Sequence, residues 1–238
     1  MLIRSFVHRM RHVFYVLRRK RYLKVDSDQY GVSQYGNDYG GFQIYDKDIK
    51  KKENAIVYSF GIGEDLSFSE DLMKKFAPQI FAFDPTPRSI KYVKSHELSR
   101  NVKFSFSPIG LSDKDEKTRF YLPINHAFVS GSAVAREGLE IEGVDVTMEC
   151  LNTISKKNGH AYIDLLKMDI EGSEFKVIEA LKDNGLDIKQ ICMEIHDEFF
   201  NDGIKKLRRA LKTMRELGYI LISVSGRGTE LTFLKTKE

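Results

Sequence analysis

From residue 55 to the C-terminus, short runs rich in β-branched and aromatic residues alternate with stretches of helical period. That alternation restricts the possible folds more than any other feature of the chain. Residues 55–60 (AIVYSF), 80–83 (IFAF), 102–107 (VKFSFS), 162–168 (YIDLLKM) and 188–195 (IKQICMEI) read as strands. Helical patterns fall between them at 66–76, at 88–98 with Pro87 suited to the first turn, at 151–157, 175–181 and 204–217. Strands separated by helices require parallel crossovers. Residues 118–122 (TRFYL) and 144–148 read as further short strands flanking a polar loop, 123–143. Two last strands, 219–225 (YILISVS) and 230–234 (ELTFL), are joined by SGRGT and add an antiparallel hairpin. The expected fold is a doubly wound, mostly parallel seven-stranded α/β sheet with an antiparallel C-terminal hairpin.

A chain of 238 residues, 42% hydrophobic, can bury the core of one large domain. Residues 53–238 are expected to form it, behind a connecting segment at 25–52 that lies over the body with short extended pieces and whose Gly40-Gly41 marks a turn. The aromatics of that segment, Tyr30, Tyr35, Tyr39, Phe42 and Tyr45, either pack on the body or line an acceptor cleft. Two cysteines, Cys150 and Cys192, make no disulfide framework and point to ordinary thiols in a reducing, cytoplasmic setting.

The net charge of +4 comes from one end. Residues 1–24 hold eight Lys/Arg and no acid, leaving 30 basic against 34 acidic residues in the rest. A basic nucleic-acid surface on the body is therefore not expected. Within the arm, Ile3, Phe6, Val7, Met10, Val13, Phe14 and Leu17 follow the spacing of an amphipathic helix, with Arg4, His8, Arg9, Arg11 and Arg18 on its other face. It is suited to peripheral contact with anionic membrane or to packing on the body or a partner chain, and an Arg-rich transit peptide fits less well. Charges interrupt every apolar stretch, so neither a secretory signal nor a membrane span is expected.

In a doubly wound sheet, ligands bind beyond the carboxyl ends of the strands. The first strand ends in SFGIGED, where Gly61 and Gly63 permit a tight turn against a ligand, but Leu66 stands where a dinucleotide fingerprint needs a third glycine. The second strand ends in Asp84 and Pro85, about twenty residues on, where an acid can accept ribose hydroxyls. The stretch LLKMDIEGSEFKV carries Asp169 at a strand end, Glu171 in the turn, and Glu174 in a first helical turn, where the helix dipole favours an acid. The next strand ends EIHDE, and His196, as a neutral imidazole, could accept a proton from a hydroxyl. Glu194, His196 and Asp197 have the types of metal ligands without HExxH spacing, and no metal is expected.

Taken together, VYSFGIGED, IFAFDPTP, IGLSDKD and LLKMDIEGSE resemble the FkbM-type methyltransferases over roughly residues 54–200. The resemblance implies a class I methyltransferase fold and S-adenosylmethionine as cofactor. It implies that Phe60, Gly61 and Gly63 border the methionine part, that Asp84 takes the ribose, and that Gly110, Leu111 and Ser112 lie beside the adenine. Asp169 would lie near the sulfonium or the acceptor. The family loop reads D-x-G-x-x-x-G, whereas Ser59 and Asp65 stand at its first and last positions here. Glu64 or Asp65 is expected to replace the missing acid at the cofactor ammonium. The resemblance further implies O-methylation of a small-molecule, saccharide, glycolipid or natural-product hydroxyl. His196 is the candidate base, with Asp169 and Glu171 competing, and the loop 123–143 with His126 is a candidate lid. The alternative is an inert methyltransferase-like module that binds a partner or membrane.

Overall fold

The computed structural model describes residues 15, 18–123 and 141–236. Most of the expected amphipathic arm and most of the expected lid, with His126, lie outside the described residues.

Seven strands form the central sheet: β3 (Ile56–Phe60), β4 (Gln79–Phe83), β5 (Phe104–Ser107), β9 (Tyr162–Met168), β10 (Asp187–Glu194), β11 (Tyr219–Val224) and β12 (Glu230–Lys235). Their order is β11-β12-β10-β9-β3-β4-β5. The pairs β4·β5, β3·β4, β3·β9 and β9·β10 are parallel, whereas β12 runs antiparallel to both β10 and β11. This is the doubly wound arrangement expected, with β12 slotted inside the edge strand β11. The strand order reverses between β3 and β9, whose carboxyl ends therefore open a crevice, as the chain leaves them in opposite directions across the sheet.

Both faces are buried. Tyr58, Phe60, Leu166 and Met168 belong to one apolar layer, and Val57, Leu165, Ile80, Ala82 and Cys192 to the other. Burial pushes the Cys192 thiol up to about 12, so it is an inert core residue. Helices cover the layers: α2 (Ser67–Phe76), α3 (Pro87–Ser95), α4 (Leu151–Asn158), α5 (Glu174–Ala180) and α6 (Gly203–Glu216), after a short α1 (Lys47–Lys50). No helix among the described residues is long and apolar enough to cross a membrane.

Two details depart from the sequence expectation. The helix expected over 88–98 stops at Ser95, because His96 is extended and caps a separate 3-10 turn, Glu97–Arg100. Gly110–Ser112 is a strand, β6, in a side sheet with β7 (Glu116–Pro123) and β8 (Ile141–Cys150), order β6-β8-β7. A run of three residues is too short to show a period, and its pairing is set by β8. Residues 25–52 contain a hairpin, β1 (Ser33–Tyr35) and β2 (Phe42–Ile44), stitched to the body. The Gln190 side chain accepts from Tyr45 N (2.7 Å) and donates to Tyr45 O (3.1 Å), and Thr232 Oγ1 donates to Gln43 O (2.5 Å). Tyr35 and Phe42 are buried, while Tyr39 at the hairpin tip is 72% exposed.

What is described of the arm packs on the body. Arg19 is buried and pairs with the fully buried Asp197 at 2.9 Å, and its Nη2 also donates to Ile195 O. Tyr15 Oη donates to Asp197 Oδ2 at 2.5 Å. Leu23 joins the main core cluster. Removing one partner of such a pair costs about 3–5 kcal/mol, because the other charge stays buried. The arm thereby anchors the segment that follows His196.

Candidate active site

At the carboxyl end of β3 the chain turns through Gly61 (φ +75°) and Gly63 (φ +57°) into α2. A side chain at Gly61 is excluded twice over. The backbone is left-handed, and an added Cβ would lie 1.7 Å from the Asp169 carbonyl oxygen. That approach lets Asp169 N donate to Phe60 O at 3.1 Å and brings the ends of β3 and β9 together.

Asp84 secures the same loop from β4. Its Oδ2 accepts from Ile62 N (3.0 Å) and Gly63 N (2.9 Å), and its Oδ1 from Thr86 N (2.8 Å) and Thr86 Oγ1 (2.6 Å). A carboxylate has about four acceptor sites, and all are taken. These four bonds give Asp84 a loop-shaping role. The sequence shows an acid at a strand end but not which donors reach it first.

Above this loop lies a pocket, open to solvent. Phe60, Gly61, Gly63, Asp65, Asp84, Pro85, Gly110, Leu111, Asp169 and Glu171 all line it. Of the expected site residues, Glu64, Ser112 and His196 are not on that wall. Glu64 is exposed, and Ser112 lines a separate depression, its Oγ donating to Asp113 at 3.0 Å. Asp65 stands out for its chemistry. Its Oδ1 accepts from Ser67 N at 2.7 Å, but its buried Oδ2 has no hydrogen-bond partner among the described residues. Buried carboxylate oxygens are costly unpaired, so this atom is set up for a donor from a ligand.

Two residues matter more than sequence reasoning allowed. Lys167, buried in an apolar strand, donates to Gly61 O (2.6 Å) and Phe60 O (3.3 Å), lies 3.9 Å from Asp169 Oδ2 and rests 5.5 Å from the centre of the Phe42 ring. A lysine inside LLKM was the available signal, since lysine is rarely buried without a partner. Glu174 is fully buried rather than a solvated first-turn acid. It accepts from Ile170 N, Gly172 N and His196 Nδ1, the last at 2.9 Å. The helix-dipole explanation for Glu174 is thus insufficient. Its carboxylate holds together the turn after β9 and the imidazole after β10, a contact across 22 residues that no local pattern encodes.

The turn itself is strained. Glu171 has φ +52°, uncommon for a residue with a Cβ, followed by Gly172 at φ +99°. It points Glu171 Oε2 toward His196 Nε2, 3.9 Å away, with Asp169 Oδ1 also 3.9 Å from that nitrogen. Burial alone would lower the His196 pKa. The hydrogen bond to Glu174 and the charges of Glu174, Glu171 and Asp169 outweigh it and push it up to about 10. Burial, reinforced by Asp169, pushes Glu194 up to about 7, and burial likewise raises Asp169. The imidazole is therefore charged near neutrality and is a donor there, not the neutral base expected.

A folded-state pKa above the unfolded one gives stability that is complete below the unfolded value and lost as pH rises through the folded value. His196 acts in this direction above about pH 7, the Cys192 thiol adds to it above about pH 8.5, Glu194 contributes mainly below about pH 7, and His160, whose pKa burial lowers, no longer titrates above about pH 7. In EDTA, the melting temperature is expected to fall by several degrees between about pH 7 and pH 10, and His196→Gln is expected to flatten that decline. Thermal unfolding that is level or rises across the window in the unsubstituted protein would contradict the charged imidazole.

The FkbM methyltransferase domain profile matches residues 58–221, from within β3 to within β11, and takes in the pocket lining except Tyr39 and Gly40. The chain belongs to the FkbM methyltransferase family. No curated protein gives a significant match to this FkbM methyltransferase. Among solved structures it is similar to the Methanococcus jannaschii fibrillarin pre-rRNA processing protein, with 9% identity, 89% of this chain and 86% of that chain covered, and a TM-score of 0.45. It is also similar to the precorrin-6y C5,15-methyltransferase of Geobacter metallireducens, with 11% identity, coverage of 79% and 84%, and a TM-score of 0.42. Aeropyrum pernix fibrillarin, solved with natively bound S-adenosyl-L-methionine, gives 11% identity, coverage of 90% and 86%, and a TM-score of 0.44. Likeness at this level carries no inference about substrate.

Proposed function

We propose that this FkbM-family methyltransferase uses S-adenosylmethionine to methylate a hydroxyl group on a saccharide, glycolipid or natural-product acceptor. The observation that supports it most is the buried Asp65 Oδ2, without a hydrogen-bond partner among the described residues, on the wall of a pocket floored by the left-handed glycine loop. An amino group is the donor that such an oxygen suits, and Asp65 then stands in for the acid that Ser59 replaces. Glu64, the other candidate, is exposed and does not line the pocket. Gly110, Leu111 and Met148 supply the apolar wall expected beside an adenine.

When bound, S-adenosylmethionine supplies an electrophilic methyl group. The protein's work is then to orient an acceptor oxygen and to take its proton, and orientation supplies much of the rate. Asp169 is the group suited to the proton. It lines the pocket, and burial raises its pKa, which makes the carboxylate a stronger base. Charged His196 and Lys167 flank it on its two oxygens and keep it ionised until the acceptor arrives.

Calorimetric titration of the full chain with S-adenosylmethionine tests this reading. Binding is expected, with Asp65→Asn weakening it by about tenfold through loss of one charge-assisted hydrogen bond. No heat of binding at millimolar cofactor would reject the reading.

A further inference from the structure

His196 Nε2 belongs to a side chain 6% exposed, and no described residue lies within hydrogen-bond distance of it. It is aimed at two carboxylates, Asp169 and Glu171, and one donor atom from each of the three lies within 4.8 Å of the others. At 3.9 Å, both Nε2 to oxygen distances are too long for hydrogen bonds. They are not too long for ligands of one ion, since two ligands each about 2.1 Å from a first-row cation can stand up to about 4 Å apart. Small side-chain rotations would bring all three into range.

The surroundings favour such an ion independently of those distances. Glu174, fully buried, engages Nδ1 while also accepting from Ile170 N and Gly172 N. This is the carboxylate–histidine arrangement that fixes an imidazole with its other nitrogen turned to a metal. The strained turn at Glu171 aims its carboxylate at the same nitrogen. Three carboxylates, Asp169, Glu171 and Glu174, meet there, and Lys167, 3.9 Å from Asp169 Oδ2, is committed to the Gly61 and Phe60 carbonyls.

We propose that Asp169, Glu171 and His196 form a binding site for a divalent transition-metal cation such as Mn²⁺. One imidazole nitrogen with two carboxylates suits Mn²⁺ or Zn²⁺ better than Ca²⁺, which prefers a shell of oxygens. The purpose of the cation, though not its binding, rests on the hydroxyl-methylation reading above. Asp169 and Glu171 line the pocket, so the ion adjoins the acceptor space, where it would attract a hydroxyl oxygen and acidify it. Binding of the ion releases the Nε2 proton, so His196 changes from a charged donor to a ligand, and the set is the one that sequence spacing hid, because its members come from two strand ends. Asp197, the third member suggested by spacing, is taken up by Arg19 and Tyr15.

The test is Mn²⁺ titration of the metal-stripped full chain, followed by the loss of the free-ion electron paramagnetic resonance signal. A single saturable site is expected, weakened at least about tenfold by Glu171→Gln, by His196→Gln and, through the orienting bond, by Glu174→Gln. Zn²⁺ is expected to displace the Mn²⁺, and Glu179→Gln, in an exposed ion pair with Arg209, to change nothing. Should His196→Gln fail to give a cooperative melt, Glu171→Gln decides, since that side chain sits at the pocket wall. Absence of saturable binding up to about 1 mM Mn²⁺, or unchanged affinity in Glu171→Gln, would overturn the proposal. Cofactor binding is read in the separate calorimetric titration, so a failure of the methyltransferase reading and a failure of the cation site give different results.

Discussion

Gly61→Ala is expected to lower the melting temperature by about 10 °C or more and to abolish S-adenosylmethionine binding. Two costs add. An L-residue in the left-handed region costs about 1–3 kcal/mol, and the new Cβ would sit 1.7 Å from Asp169 O, a backbone atom that cannot rotate away. Relief requires the ends of β3 and β9 to separate, which breaks the 3.1 Å bond from Asp169 N to Phe60 O and moves Lys167 off the Gly61 carbonyl. The sum is on the order of 4–5 kcal/mol, a large share of a domain's total stability of about 5–15 kcal/mol. Differential scanning calorimetry and the cofactor titration check it. A variant that melts within about 2 °C of the parent and still binds cofactor would show that the strand ends yield easily.

Asp84→Ala is expected to cost about 3–5 kcal/mol and to weaken cofactor binding by more than about a hundredfold. The carboxylate is 5% exposed, and its removal strands two loop amides, the Thr86 amide and the Thr86 hydroxyl. Each is a hydrogen bond to a charged group worth about 1.5–3 kcal/mol, partly recovered by water entering the space. The affinity is lost because the glycine loop no longer keeps its shape. Thr86→Val separates the parts: it removes one of the four bonds, spares the loop, and is expected to leave affinity within about threefold while costing about 1 kcal/mol. If Asp84→Ala kept its stability but lost cofactor, a direct ribose contact would be the better account.

Much of the architecture was legible because it is encoded locally. The runs at 55–60, 80–83 and 162–168 each fall within a residue or two of a strand, since burial on both faces demands unbroken apolar character over a short span. The last helix, expected over 204–217, is Gly203–Glu216 for the same reason at a different period. The pairing of the short extended pieces at 33–44 into a hairpin, and strand β6, were not legible. Their strands are three residues long and are held by partners far along the chain, Gln190 and Thr232 for the hairpin and β8 for β6.

The site divides in the same way. Sequence position alone placed Gly61, Asp84, Asp169 and His196 at strand ends, and the strand-end rule for doubly wound sheets then located the crevice. What each of these side chains does was decided by tertiary structure. Asp84 faces four donors and closes on its own loop, Asp65 keeps an oxygen open, and Glu174 reaches across to charge the imidazole it holds. Periodicity specifies which face of an element is buried, whereas a carboxylate's role depends on distances of a few ångströms between atoms on different strands. Those distances exist only once the sheet has brought the strand ends together.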